Sequence, residues 1–257
     1  MPNDPSPLNR MLIDPNDLDL RDVDPETAEI LRKTVAFFET KGKTQLKRDD
    51  HERVWYADFL AFIAENSIFA KLLTPAAYGD GTTRWDTWRN CAFNEILGFY
   101  GLHYWYTWQV TILGLGPIWM GDNEAIKLRT AAMLRDGGIF GFGLSEKDHG
   151  ADVYSTEMTL APAETGGWRA NGRKYYIGNA NRAALVSTLG KFAATDGPGG
   201  GDEFVFFAVD SQHGQFECVR NLVNVQSYVA EYSLVDYPVP DDAVLSRGQA
   251  AWDSALN

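Results

Sequence analysis

The segment Phe142-Gly-Leu-Ser-Glu-Lys-Asp-His-Gly-Ala-Asp-Val153 gathers much of the reactive chemistry of this 257-residue chain. A strand that ends at Leu144–Ser145 and runs into a glycine-containing loop presents backbone amides. Such amides can hydrogen-bond the edge of a planar heterocycle or a phosphate, and Ser145 adds a hydroxyl. Taken alone, the same residues read as a plain strand-to-turn transition. Asp148-His149-Gly150-Ala151-Asp152 offers metal-ligand types, but no second histidine cluster supports them. A turn in which Asp148 and Asp152 bond backbone amides is the preferred reading, and no metal is expected. His51, His103 and His213 stand alone, and His103 is expected as a hydrogen-bonded core residue. C-x-x-C, H-E-x-x-H, P-loop and G-x-S-x-G signatures are absent. Gly114-Leu-Gly116 neither follows a strand nor completes G-x-G-x-x-G, which argues against a Rossmann site.

The elements that must position these residues fall into two textures. Apolar residues make up 45% of the chain and charged residues 23%, as in a globular protein rather than a disordered one. A net charge of −12 argues against nucleic-acid or anionic-membrane binding, both of which need clustered Lys and Arg. Cys91 and Cys218 are too few for a disulfide framework and read as buried thiols of a reducing compartment. The N-terminus has no cationic stretch leading into an apolar one, so no secretory signal is expected and a cytoplasmic location is the default. Residues 1–23, rich in Pro and Asp, are expected to form an extended arm. Residues 24–136 read as an α-helical domain. Asp24-Pro25 caps its first helix, and Lys41-Gly42-Lys43 is expected to end it. A second helix is expected over 51–70, a third over 85–98, and a fifth over 123–134 capped by Asp122. Between Ile96 and Gly121 there is no charged residue. That stretch is long enough to span a bilayer, but its glycines, His103 and Gln109 favour a buried helix lining a cavity, broken at Gly114–Pro117.

After Asp136-Gly137-Gly138, short segments rich in β-branched and aromatic residues alternate with Gly, Asp and Asn turns. Residues 137–246 are therefore expected to form a β-barrel domain. Within it, Asn171-Gly172 signals a two-residue hairpin, and 194–202 a flexible surface loop. Residues 247–257 read as the start of a further helix that is cut off, so the chain is expected to be a fragment. The fold class is α+β, an all-α domain followed by a β-barrel.

Phe142–Val153, together with Trp168-Arg-Ala-Asn-Gly-Arg-Lys-Tyr-Tyr-Ile-Gly-Asn179, resembles the acyl-CoA dehydrogenase family. That family carries F-x-L-[ST]-E-P-x-x-G-S-D followed by N-G-x-K-x-[WY]-I-[ST]-N. Looser likenesses are Pro75-Ala-Ala-Tyr-Gly-Asp80, Gly121-Asp-Asn-Glu124 and Val235-Asp-Tyr-Pro-Val-Pro240. The resemblance implies FAD held between a helical domain, a middle β-barrel and a C-terminal bundle. It implies α,β-dehydrogenation of a fatty acyl-CoA, as in β-oxidation, with electrons passed to an acceptor such as an electron-transfer flavoprotein. It also implies a homo-oligomer, dimer or tetramer, once the bundle is present. Carried over by motif, Phe142, Leu144 and Ser145 would contact the pyrimidine side of the flavin. Tyr176 would pack on the ring, Ile177 and Gly178 would lie near N5, and Gly150 and Ala151 near the pyrophosphate, with Ala151 also near the CoA end.

Three departures stand out. Gly178 and Ala151 replace hydroxyl residues, and Lys147-Asp148-His149 replaces Pro-Gly-Ala. The catalytic glutamate of the family belongs to the C-terminal bundle, so no base is assigned here, and Glu146 is expected to bond backbone or an arginine. An acyl-CoA oxidase or flavin monooxygenase of the same superfamily, and a degenerate acyl-CoA- or partner-binding member, are the alternatives.

Overall fold

The structure, a computed structural model, describes residues 14, 15, 17, 18, 20, 21, 23–193 and 203–256. The expected N-terminal arm lies mostly, and the 194–202 loop wholly, outside them. Helix α1 (Pro25–Glu52) starts as its sequence dictates: Asp24 accepts from the Thr27 amide at 3.0 Å, and Pro25 occupies the first turn. Gly42 does not end it. With φ 75° it kinks the helix, which resumes and runs on to Arg53 at φ 58°. Lys41 sets the next turn, bridging Asp49 (2.7 Å) and Asp58 (2.6 Å) of the following helix. The helix expected over 51–70 is thus the tail of α1 followed by two short helices, α2 (Ala57–Glu65) and α3 (Ile68–Leu73). Next come α4 (Thr87–Tyr100), α5 (Leu102–Met120) and α6 (Glu124–Arg135). The cap of α6 is Asn123, one residue beyond the expected Asp122.

Helix α5 runs unbroken through Gly114–Pro117. Pro117 removes one backbone donor, but tertiary packing outweighs that local cost. A Cβ on Gly114 would lie 2.5 Å from the Gly141 carbonyl, so the glycine lets α5 lie directly on the sheet. Ser187 Oγ then donates to the Gly114 carbonyl at 2.6 Å. Among the described residues, no helix is long and apolar enough to cross a membrane.

Eight strands follow: β1 (Ile139–Gly143), β2 (Thr159–Pro162), β3 (Trp168–Gly178), β4 (Ala183–Phe192), β5 (Phe204–Val209), β6 (Phe216–Asn221), β7 (Val229–Val239) and β8 (Val244–Arg247). Helix α7 (Gly248–Leu256) packs Trp252 on Phe204, ring centroids 5.0 Å apart. The helical-then-β order agrees with the sequence. The closed barrel does not: the strands pair in one sheet, in the order β6-β7-β3-β2-β4-β5-β8, with β1 parallel to β4. Nor does Asn171-Gly172 turn the chain. It lies inside β3, opposite a bulge that β7 makes at Val235–Asp236, and the missing Cβ of Gly172 (φ 149°) leaves room for Met158 at 2.9 Å.

The period-2 alternation of the strands divides the core. Leu185, Leu189 and Phe206 face a cluster built with Phe38, Phe59, Phe93 and Leu115. Val186, Val205 and Phe207 face a second one with Ile177, Tyr232 and Leu234. Cys91 is exposed and Cys218 half-buried, so neither is the fully buried thiol expected.

Candidate functional site

Strand β1 carries Phe142 to its end, and the chain leaves it at Leu144 and Ser145 toward a tight turn. There the Glu146 amide donates to the His149 carbonyl (2.9 Å) and the His149 amide returns to the Glu146 carbonyl (3.3 Å). Strand β3 lies alongside. The Tyr175 amide donates to the Ser145 carbonyl at 2.9 Å, so the two segments singled out in the sequence meet in space.

Lys174 fastens them. Its ammonium is fully buried and donates to the Leu144 carbonyl (2.9 Å), Glu146 Oε1 (2.8 Å) and Thr156 Oγ1 (3.0 Å). Glu146 also accepts from the Thr156 hydroxyl, the Glu157 amide (2.8 Å) and the Met158 amide (3.2 Å). Its partner is thus a lysine and backbone, not an arginine. Burial pushes the Lys174 pKa down to about 8, offset only in part by Glu146. The Glu146 carboxyl stays below its ordinary value: burial opposes ionisation, but the Lys174 charge and the donors outweigh it. Both groups are charged at neutral pH, a fully satisfied buried pair that fixes the position of Leu144–Ser145.

Neither the amide nor the hydroxyl of Ser145 finds a partner among the described residues, which leaves two donors at the turn. Phe142 is half-buried and stacks on Phe206 at 5.8 Å. Tyr176 is 57% exposed and held at φ 72°, an aromatic face turned outward beside buried Ile177 and Gly178. Gly150 and Ala151 are exposed on the loop. In that loop His149 Nδ1 meets Asp152 Oδ2 at 2.9 Å, which raises the histidine pKa. Asp148 stays apart, and no group of three potential metal ligands forms among the described residues.

Among the described residues three spaces flank the junction, one of them a cleft of about 560 Å3 lined by Glu146–His149 and by Lys174 and Tyr175. A groove of about 370 Å3 is lined by Leu102, His103, Trp105, Tyr106, Tyr176 and Ser227, among others. A more apolar cavity of about 520 Å3 lies between Ile112, Trp119 and Met120 of α5, Phe142, and Ser254–Ala255 of α7. His103 is not the hydrogen-bonded core residue expected: it packs tilted against Tyr104 at 4.2 Å and stacks on Tyr56 at 5.9 Å, and its Nε2 has no partner. Burial lowers its pKa to about 4, so it is neutral at pH 7. His51 ends α1, and His213 packs on Tyr237.

Sequence reasoning overlooked Asn179, which follows Gly178. At φ 61° it is a backbone outlier that asparagine tolerates. Its Oδ1 accepts from Thr107 Oγ1 (2.7 Å), and its Nδ2 donates to the Thr107 and Phe140 carbonyls (3.0 Å each), tying α5 to the sheet. Its place at the end of the N-G-x-K motif was the available signal. Thr156 and Tyr106 carried none.

The fold is a helical layer laid on a single sheet, with an aromatic face and unpartnered donors at their junction. Residues 141–228 match the family model for the acyl-CoA dehydrogenase middle domain. No curated protein sequence matches the chain. Among solved structures, butyryl-CoA dehydrogenase from Megasphaera elsdenii superposes with a TM-score of 0.76 at 21% identity, over 93% of this chain and 63% of that one. An acyl-CoA dehydrogenase complexed with FAD from Bacillus anthracis gives 0.75 at 19%, over 96% and 41%. The prolyl acyl carrier protein oxidase AnaB gives 0.73 at 19%, over 91% and 62%. The chain spans less than two thirds of the length of each. Its fold is that of the helical and middle domains of acyl-CoA dehydrogenases, and residues 141–228 are similar to the middle domain of that family, in line with the sequence resemblance.

Proposed function

We propose that the chain is the FAD-binding front part of an acyl-CoA dehydrogenase-type oxidoreductase that desaturates an acyl thioester between its α and β carbons. The observation that carries this reading is the Lys174-locked junction. It sets two unpartnered donors at Ser145 beside the exposed ring of Tyr176. The residues fit the cofactor. A flat, polar-edged ring needs donors at its edge and an aromatic partner for its face, and Ser145 and Tyr176 supply both at the junction that the Tyr175 amide–Ser145 carbonyl bond closes. Ser145 would donate to the pyrimidine edge and Tyr176 would pack on the ring. Phe142 and Leu144 wall the pocket, while Ile177 and Gly178 bring backbone close to the ring. Gly150 and Ala151 lie on the exposed loop suited to the pyrophosphate, and Ala151 also to the CoA end. FAD, when bound, supplies the acceptor for the hydride leaving the β-carbon.

The apolar cavity beside α5 suits an alkyl chain. Glu146 is held by Lys174, Thr156 and two amides, which leaves it no freedom to take a proton, so the base is assigned to no residue of this chain. An electron-transfer flavoprotein as acceptor and a homo-oligomeric assembly belong to the same reading. The test is titration of the purified chain with FAD, followed by anaerobic addition of acyl-CoA. Weak binding with a perturbed visible band and no bleaching is the expected result. A chain that leaves the FAD spectrum unchanged at high concentration refutes it.

The absence of hydroxyls at 151 and 178 favours a second reading, an oxidase or monooxygenase. Peroxide release by the reduced holoenzyme in air distinguishes it.

A further inference from the structure

The groove beside Tyr176 contains a hydroxyl that the reading above does not use. Tyr106, on α5, is half-buried, and its oxygen has no hydrogen-bond partner among the described residues. It shares the groove with Trp105, Tyr176 and Ser227. Across from it lies Gly178. A Cβ on that glycine would come within 2.7 Å of the Tyr106 oxygen and 2.7 Å of Val110 Cγ2. The torsions of Gly178 are not in the left-handed region, so backbone conformation does not demand a glycine there. Space does: the phenol occupies the volume into which a side chain at 178 would project. Burial, and after it the neighbouring Tyr176, raises the Tyr106 pKa, so the group remains a protonated donor throughout the neutral range.

We propose that the Tyr106 hydroxyl donates to the flavin ring in this site, replacing in both volume and hydrogen bond the hydroxyl that residue 178 lacks. The proposal rests on the FAD reading and deepens it. The donor has moved from the sheet to the facing helix, and Gly178 is the consequence of that move. Tyr106 would then be a flavin-contacting residue that supplies a hydrogen-bond donor, with Tyr176 supporting the ring.

The experiment uses the full chain and FAD itself as the probe, with thermal melting of the FAD-free protein as a second readout. Tyr106→Phe removes only an unpartnered hydroxyl, so the melting temperature stays within a degree or two of wild type. FAD affinity falls about fivefold, the equivalent of about 1 kcal/mol, and the visible band changes shape. Gly178→Ser alone forces a side chain against Tyr106 and Val110 and lowers the melting temperature by several degrees. In Tyr106→Ala/Gly178→Ser the space and the hydroxyl change places. This double variant melts higher than Gly178→Ser and binds FAD more tightly than Tyr106→Ala. If wild type binds FAD and Tyr106→Phe binds it equally well with the same spectrum, the hydroxyl proposal falls while the flavin reading stands. If Gly178→Ser costs no stability, the exchange of volume is wrong. If wild type does not bind FAD at all, both fall together.

Discussion

Lys174→Met is the most direct probe of how this site is held. The substitution keeps the length of the side chain and removes three donated bonds: to Leu144, to Glu146 and to Thr156. It also leaves Glu146, whose side chain is 6% exposed, as a buried carboxylate without its counter-charge. Removing one partner of a buried pair costs about 3–5 kcal/mol. The lower end applies, because Glu146 keeps Thr156 and the amides of Glu157 and Met158. A loss of about 3 kcal/mol corresponds to a fall of about 6–12 °C in melting temperature for a chain of this size.

Glu146→Gln is the complementary perturbation, since it strands the lysine. The double variant Glu146→Gln/Lys174→Met leaves no charge behind, and its cost falls short of the sum of the single costs by about 1–3 kcal/mol. The pair has a pH signature as well. Folded Lys174 loses its proton near 8 and the unfolded residue near 10.5. Between those values the unfolded chain holds more protons, so the contribution of Lys174 to stability rises with pH. The gap between wild type and Lys174→Met therefore widens across that window. Urea denaturation followed by circular dichroism at pH 7, 8, 9 and 10 measures all of these quantities. A Lys174→Met variant within 1 kcal/mol of wild type, or strictly additive single costs, would refute the claim that this pair clamps the junction.

Three further expectations follow from other parts of the fold. Asp24→Ala removes the cap of α1 and its pairing with Arg84 at 3.0 Å, costing about 1–2 kcal/mol at pH 7. The Asp24 carboxyl is held far below 3.8: burial opposes this, but bonds from Thr27 and Arg84 outweigh it. The wild-type advantage is therefore present above pH 3.8 and shrinks as pH falls below it, which acid titration of the two proteins checks. Gly114→Ala drives a methyl group into the Gly141 backbone and costs about 1–3 kcal/mol in chemical denaturation, whereas Gly81→Ala, with open space around its Cβ, stays within about 0.5 kcal/mol. Asn179→Ala removes the acceptor of the Thr107 hydroxyl and the amide bonds to the Thr107 and Phe140 carbonyls and puts alanine at φ 61°, and an equilibrium denaturation loss of about 2–4 kcal/mol is expected.

Local chemistry in the sequence determined the capped start of α1, the change from helical to strand texture after Gly138, and the two motifs of the site. A cap, a period and a run of specific residue types are properties of neighbouring residues, and they read out without knowledge of the rest. Tertiary contacts decided what local signals misjudged. Gly42 kinks a helix instead of ending it, because Lys41 finds Asp49 and Asp58 around the bend. Gly114-Leu-Gly-Pro117 stays helical because the glycine is needed where α5 touches β1. Asn171-Gly172, a hairpin by its dipeptide, stays within β3 because β7 pairs along both sides of it and takes up the irregularity at Val235–Asp236. The sheet stays open because closure depends on strand order, which no short segment encodes. The site divides in the same way. Ser145 and Tyr176 were legible from their motifs. Thr156, and the meeting of Tyr106 with Gly178, were not, for each depends on groups far apart in the chain packing within a few ångströms of one another.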